Sequence, residues 1–115
     1  MASSSLKPPA TPYSPSDATA AVTLAMPLPH QTLAGEALLE IQYTPGRDVL
    51  APQDMLSWGQ SLSTHKATTW ENLGTDLIEA FYDTLLPYKV NISITIQHAG
   101  GLRQFVQLQR QRPGT

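Results

Sequence analysis

The apolar positions of this chain switch between a period of two and a period near 3.6. The clearest stretch is Lys89 to His98, where Val90, Ile92, Ile94 and Ile96 alternate with Asn91, Ser93, Thr95 and Gln97, as in a strand with one buried face. Ala99-Gly100-Gly101 then predicts a turn into a last strand over Leu102–Gln109. Upstream, Glu36–Thr44 puts Leu39, Ile41 and Tyr43 on one face and stops in the turn Tyr43-Thr44-Pro45-Gly46, where proline presets φ and glycine accepts what a turn demands. Ala18–Met26 is a further strand candidate.

Between these strands the period lengthens. Pro52, whose missing N–H costs nothing in a first helical turn, opens a helix that runs to about Ser63. Thr68-Thr69-Trp70-Glu71 has the form of a capping box for a second helix. In it Trp70, Leu73, Leu77, Ile78, Phe81 and Leu85 recur at helical spacing until Pro87. The predicted order is ββααββ, an α+β fold with a four-stranded antiparallel sheet and two helices on one face. The Val/Ile face goes beneath the helices, and the Asn/Ser/Thr/Gln face stays open as a polar, uncharged surface. The exposed outer strands favour homo- or hetero-oligomers joined through sheet edges.

At 115 residues the chain is expected to build one core. Residues 1–17 hold four of the ten prolines and few large apolar side chains, so they read as a disordered Pro/Ser-rich arm. Residues 18–110 then form the domain and 111–115 a flexible tail. The net charge is −2 and the seven basic residues are scattered, which offers no stripe for nucleic acid. No apolar run approaches the ~20 residues of a membrane span and no signal-peptide pattern is present, so a soluble, cytoplasmic protein is expected. Arg47, Asp48, Arg110 and Arg112 read as solvated charges.

Candidate chemistry is sparse. With no cysteine there is no disulfide, no thiolate metal site and no sulfur nucleophile. His30, His65 and His98 lack the paired spacing of a zinc site. Ser57, Ser61 and Ser63 have no base at a supportive spacing. No metal or cofactor is implied.

Several short motifs carry a resemblance. Ile41-Gln42-Tyr43-Thr44-Pro45-Gly46, Ser61 in the first helix, Glu71 opening the second, Asp76-Leu77-Ile78 within it, Leu86-Pro87 after it and Gly100-Gly101-Leu102 follow an order and near-spacing similar to 7-cyano-7-deazaguanine reductase. That enzyme is the nitrile reductase of the queuosine pathway and has the tunnelling fold (T-fold), whose barrels assemble from ββααββ units and bind purine or pterin rings between subunits. The similarity spans about two-thirds of the chain, from Leu28 to Val106.

Carried over by position, the family's chemistry is missing. The nucleophilic cysteine falls at Leu28 and the catalytic aspartate at Gly35. A leucine has no lone pair for the covalent thioimide, and a glycine has no proton to give. The nicotinamide-cofactor motif, Glu-x-Lys-Ser in the family, falls at Ala51-Pro52-Gln53-Asp54, and the arginine before the paired glycines is Ala99. What the resemblance leaves is Glu71, which in the superfamily anchors the guanidine-like edge of the bound ring through two parallel N–H bonds. The same residue is the glutamate of the capping box, and both roles stay open at this point. Trp70, where the family has histidine, either stacks on a ligand ring or opens the helix's apolar stripe.

The resemblance thus implies a degenerate, non-catalytic relative acting as a binding or structural subunit, with a position-28 side chain beside a pocket floored by Glu71. Two other classes fit the same residues. One is an enzyme or enzyme subunit of deazapurine or pterin metabolism that uses Glu71 and a partner-supplied nucleophile. The other is a sensor in which Glu71 and Trp70 hold a purine-like ring without converting it.

Overall fold

A computed structural model describes residues 6–14 and 20–113. Among these the order is β1 (Thr11–Pro12), β2 (Val22–Pro27), β3 (Glu36–Thr44), β4 (Asp48–Val49), α1 (Pro52–Thr64), α2 (Trp70–Leu85), β5 (Lys89–Gln97) and β6 (Arg103–Gln111). Strands β2-β3-β5-β6 form an antiparallel sheet in that order, and β1 pairs with β4 in a separate two-stranded ribbon. The expected ββααββ arrangement is present, with the small ribbon added. No helix among the described residues is long and apolar enough to cross a membrane.

Register explains the layering. Leu39 pairs with Ile94, Ile41 with Ile92 and Tyr43 with Val90, so the alternating apolar residues of both central strands share one face. All six are buried. Met55, Trp58 and Leu62 of α1, and Leu73, Leu77, Ile78, Phe81 and Leu85 of α2, close over that face. Burying a side chain of this size is worth about 1.5–3 kcal/mol, which makes the covered face the main source of stability. Tyr43 meets Phe81 edge-on at 4.9 Å, and its hydroxyl accepts from the Leu50 N–H at 3.1 Å. Burial pushes the Tyr43 pKa above its usual value, with the Leu50 bond pulling the other way.

Gly74 sets how closely α2 approaches β6. A Cβ at this position would lie 2.7 Å from the Leu108 side chain, so the glycine accepts a helix-propensity cost of about 1 kcal/mol in return for close packing. The β5–β6 hairpin turns through Ala99–Gly101, with Gly100 and Gly101 at φ 79° and 81°, and His98 N–H closes it on Leu102 O at 2.7 Å.

The open face is less uniform than the alternation in β5 suggests. Ser93 pairs with Glu40 and Gln107, and Gln97 with Glu36 and Arg103. Pro27, Leu38, Thr95 and Phe105 form a row across all four strands, with Leu38 50% and Phe105 62% exposed. Charged and apolar groups therefore join the amides because β3 and β6 contribute half of the face.

Both ends of the chain depart from the expected arm and tail. Residues 1–5, 15–19 and 114–115 lie outside the described residues. Of the remaining arm, Leu6 is buried in the core and its carbonyl accepts the Trp58 indole N–H at 2.8 Å. Thr11 and Pro12 pair with Val49 and Asp48. A proline-rich segment that lacks a core of its own docks here through Leu6, the Leu6 carbonyl, the buried Pro8 and the β1–β4 pairing, because the rest of the molecule supplies the partner surface.

At the other end β6 continues to Gln111, and the Arg112 guanidinium stacks on Tyr88 and bonds Leu86 O. Arg110 lies over Tyr82 and pairs with Glu79. Arg47 bonds Asp48 and Thr84 O. Arg47 and Arg112 thus serve carbonyls at the C-terminal end of α2, where the helix has no basic residue in its own last turn. None of these arginines is simply solvated.

The start of α2 also differs from the capping box. The N-cap is Thr69, whose side chain accepts from Asn72 N–H at 3.0 Å, while Thr68 Oγ1 donates to the Asn72 side chain. Glu71 therefore sits one position too early to reach back to the cap.

Two stability tests follow. Leu6→Ala is expected to lower unfolding free energy by about 2–5 kcal/mol in urea titrations, whereas a detached arm predicts no change. Thr69→Ala is expected to cost about 1 kcal/mol, and Glu71→Gln less than about half of that; the reverse order would restore Glu71 as the capping residue.

Candidate functional site

The first turn of α2 lies against the end of the sheet where β5 passes into β6. There Glu71 is exposed, and its Oε2 accepts from Gln104 Nε2 at 3.0 Å. Gln104 stands on β6 in phase with the inward-facing Val106 and Leu108, so its amide comes up beside the helix. The amide's orientation follows from chemistry. A carboxylate can only accept, so the NH2 group faces Glu71 and Oε1 faces away. His98 Nε2 lies 2.8 Å from that Oε1 and must be the donor. The three side chains form a directed series from His98 through Gln104 to Glu71.

The 30–35 segment makes the opposite wall, and His30 shapes it. His30 Nδ1 accepts from the Thr32 and Leu33 N–H groups, both at 3.2 Å, which leaves Nε2 to donate to His65 O at 2.8 Å. His65 in turn meets Asp76 at 3.0 Å. Trp70 packs against this wall, 4% exposed, with its indole N–H on Ala34 O at 2.8 Å and His30 edge-on at 5.8 Å. Its ring braces the wall, with almost no face left open for stacking. The result is an open cleft of about 240 Å3, lined by Leu33, Ala34, Thr68, Thr69, Trp70, Glu71, His98 and Gln104. Its floor is a carboxylate with an amide beside it, and Leu33 and Ala34 make an apolar flank.

The positions onto which the resemblance carries the family's catalytic groups are not gathered here. Leu28 is fully buried in the core, its N–H bonded to Ala37 O at 2.8 Å, and it is not among the residues lining the cleft. Gly35 does border the site. It has φ 98°, and a Cβ there would lie 2.5 Å from Ile96 Cγ2 and 3.0 Å from His98 Nδ1, so a side chain would strain the backbone and displace His98. Ala51 caps α1 without a side-chain bond and does not line the cleft. Ser57 and Ser63 donate to carbonyls of their own helix. Among the described residues, His, Asp and Glu form no group of three or more that would hold a metal ion.

Sequence reasoning singled out Glu71 and Trp70, weighed His98 only as a zinc ligand and passed over Gln104. A signal for Gln104 exists in the chain. It is a polar residue in the buried phase of β6, two positions before Val106, and an inward-facing amide needs a polar partner. His98 carries no comparable signal, since it follows the last alternating residue of β5 and only the turn geometry aims it.

No protein-family model matches this sequence, and none of the curated proteins compared with it does. Among solved structures the chain is similar to archaeosine synthase QueF-like in its apo form, with a TM-score of 0.58, 14% sequence identity, and coverage of 83% of this chain and 95% of that one. At that identity the likeness is one of fold. With its sheet order and paired helices, this chain has the α+β architecture of the T-fold.

Proposed function

We propose that this chain is a non-catalytic T-fold subunit, a degenerate relative of the nitrile reductases, that binds a purine- or pterin-like ring through Glu71. The observation that carries this reading is the state of the Glu71 carboxylate. It is free of helix capping, lies in a solvent-open cleft and is approached by a single amide donor. A carboxylate so placed is a directional acceptor for the N–H groups of a heterocycle. Loss of the reductase chemistry is supported by the absence of any cysteine from the sequence and by Gly35, where no acid fits beside His98.

The size of the cleft bears on assembly. About 240 Å3 is below the roughly 300–1,000 Å3 usual for ligand pockets, as expected of a half-site that a neighbouring subunit completes. Among the described residues the outer strands β2 and β6 each pair on one side only, which makes their edges the proposed joints of a homo- or hetero-oligomer.

Function is tested in two steps. The purified protein given 7-cyano-7-deazaguanine and NADPH is expected to show no loss of nicotinamide absorbance; sustained turnover would refute the non-catalytic reading. Calorimetry with 7-deazaguanine or pterin is expected to detect binding that Glu71→Gln weakens by about 1.5–3 kcal/mol, and unchanged affinity would remove Glu71 from the site. Separately, the thiol of Leu28→Cys, the chain's sole cysteine, is expected to react with a disulfide reagent only after denaturation. Rapid labelling of the native variant would put position 28 within reach of a ligand.

A further inference from the structure

On the reading that Glu71 anchors a ring, we propose that Gln104 is a specificity-determining residue that reads the ring's oxo group, and that His98 is the positioning residue that orients it. Glu71 offers acceptors to the cleft. Among the described residues its Oε1 has no hydrogen-bond partner, and its Oε2 carries only the Gln104 bond. Gln104 offers a donor, because one of its two N–H groups goes to Glu71 and the other has no protein partner among the described residues. The site therefore presents two acceptors with a donor beside them.

The complement of that array is donor, donor, acceptor. It is the edge of a 2-amino-4-oxopyrimidine ring: an exocyclic amine and a ring N–H for Glu71, and a carbonyl oxygen for the second N–H of Gln104. This chemistry is shared by guanine-like and pterin-like bicycles. An adenine-type edge, with a lone pair where the ring N–H should be, would oppose an acceptor to the carboxylate and leave polar groups covered by the ring unpaired.

His98 keeps the array in order. Its Nε2–H, 2.8 Å from Gln104 Oε1, occupies the amide's acceptor and prevents that oxygen from turning into the cleft toward the ligand carbonyl. Gly35 leaves room for the imidazole, since any Cβ there would crowd Nδ1. The four residues come from β6, the β5–β6 turn, the first turn of α2 and the loop before β3, so the array exists only in the folded chain.

The test compares ligands that differ at one atom. Calorimetry on the full-length protein in its native assembly uses 7-deazaguanine, its 6-thio analogue, which keeps both donors but accepts weakly, and pterin. The wild type is expected to prefer the oxo ring over the thio ring by about threefold to tenfold, the equivalent of one neutral hydrogen bond. Gln104→Leu should bring that ratio close to one while both rings still depend on Glu71, and His98→Ala should lower it part of the way. Whichever of 7-deazaguanine and pterin binds more tightly identifies the bicycle. An unchanged oxo/thio ratio in Gln104→Leu, with Glu71→Gln still weakening both ligands, would overturn the Gln104 proposal and leave the anchor standing. Binding that ignores Glu71→Gln, or no binding of any ring, would overturn both.

Discussion

The pairing of β3 with β5 is the constraint on which the rest of this molecule depends. Because side chains alternate along a strand, the match of Leu39 to Ile94 and Ile41 to Ile92 decides at once which face α1 and α2 cover and which stays open. The β5–β6 pairing extends the same register to the edge, where Ile94 meets Val106 and Ile96 meets Gln104. A slip of one residue would carry Gln104 to the open face and leave Glu71 without its amide. The site is thus a consequence of the same ladder that makes the core.

That dependence gives the polar cluster its order. Glu71, Gln104 and His98 are all short of full burial, so none is forced into its bond by desolvation. Donor and acceptor roles are settled by exclusion: the carboxylate cannot donate, so the amide must face it with nitrogen, so the imidazole must donate to the oxygen. Around this series the chain uses backbone groups to hold the walls. Trp70 is tied to Ala34 O, and His30 gathers two N–H groups of its own loop. A cleft built this way keeps a fixed arrangement of polar groups through backbone hydrogen bonds in its walls.

Much of the architecture could be read before any coordinates. The strict alternation of Lys89–Gln97, the apolar spacing from Trp70 to Leu85 and the Gly100-Gly101 turn each correspond to an observed element, because each is a local pattern with a single efficient way to bury its apolar face. The capping box was misleading for an equally local reason. Thr68 and Thr69 are both competent caps, and the choice of Thr69 moves Glu71 out of the position from which it would reach back. A tandem of similar residues leaves the helix start undecided by one residue, and one residue separates a structural carboxylate from an available one. The arm and tail were obscured by composition, since proline-rich and charged segments look mobile until a surface such as Trp58 or Tyr88 is there to receive them.

The sequence by itself determined the order of the four sheet strands and two helices, the face each would bury, and the absence of any thiol for nucleophilic chemistry, because periodicity and composition act within a few residues or across the whole chain. Only the tertiary structure decided that Leu28 lies in the core, that Arg47 and Arg112 serve the carboxyl end of α2, and that Glu71 meets Gln104 across 33 positions. Those contacts depend on the relative placement of a helix and a sheet edge, a quantity set by packing at Gly74 and by strand register rather than by any residue's own neighbours in the chain.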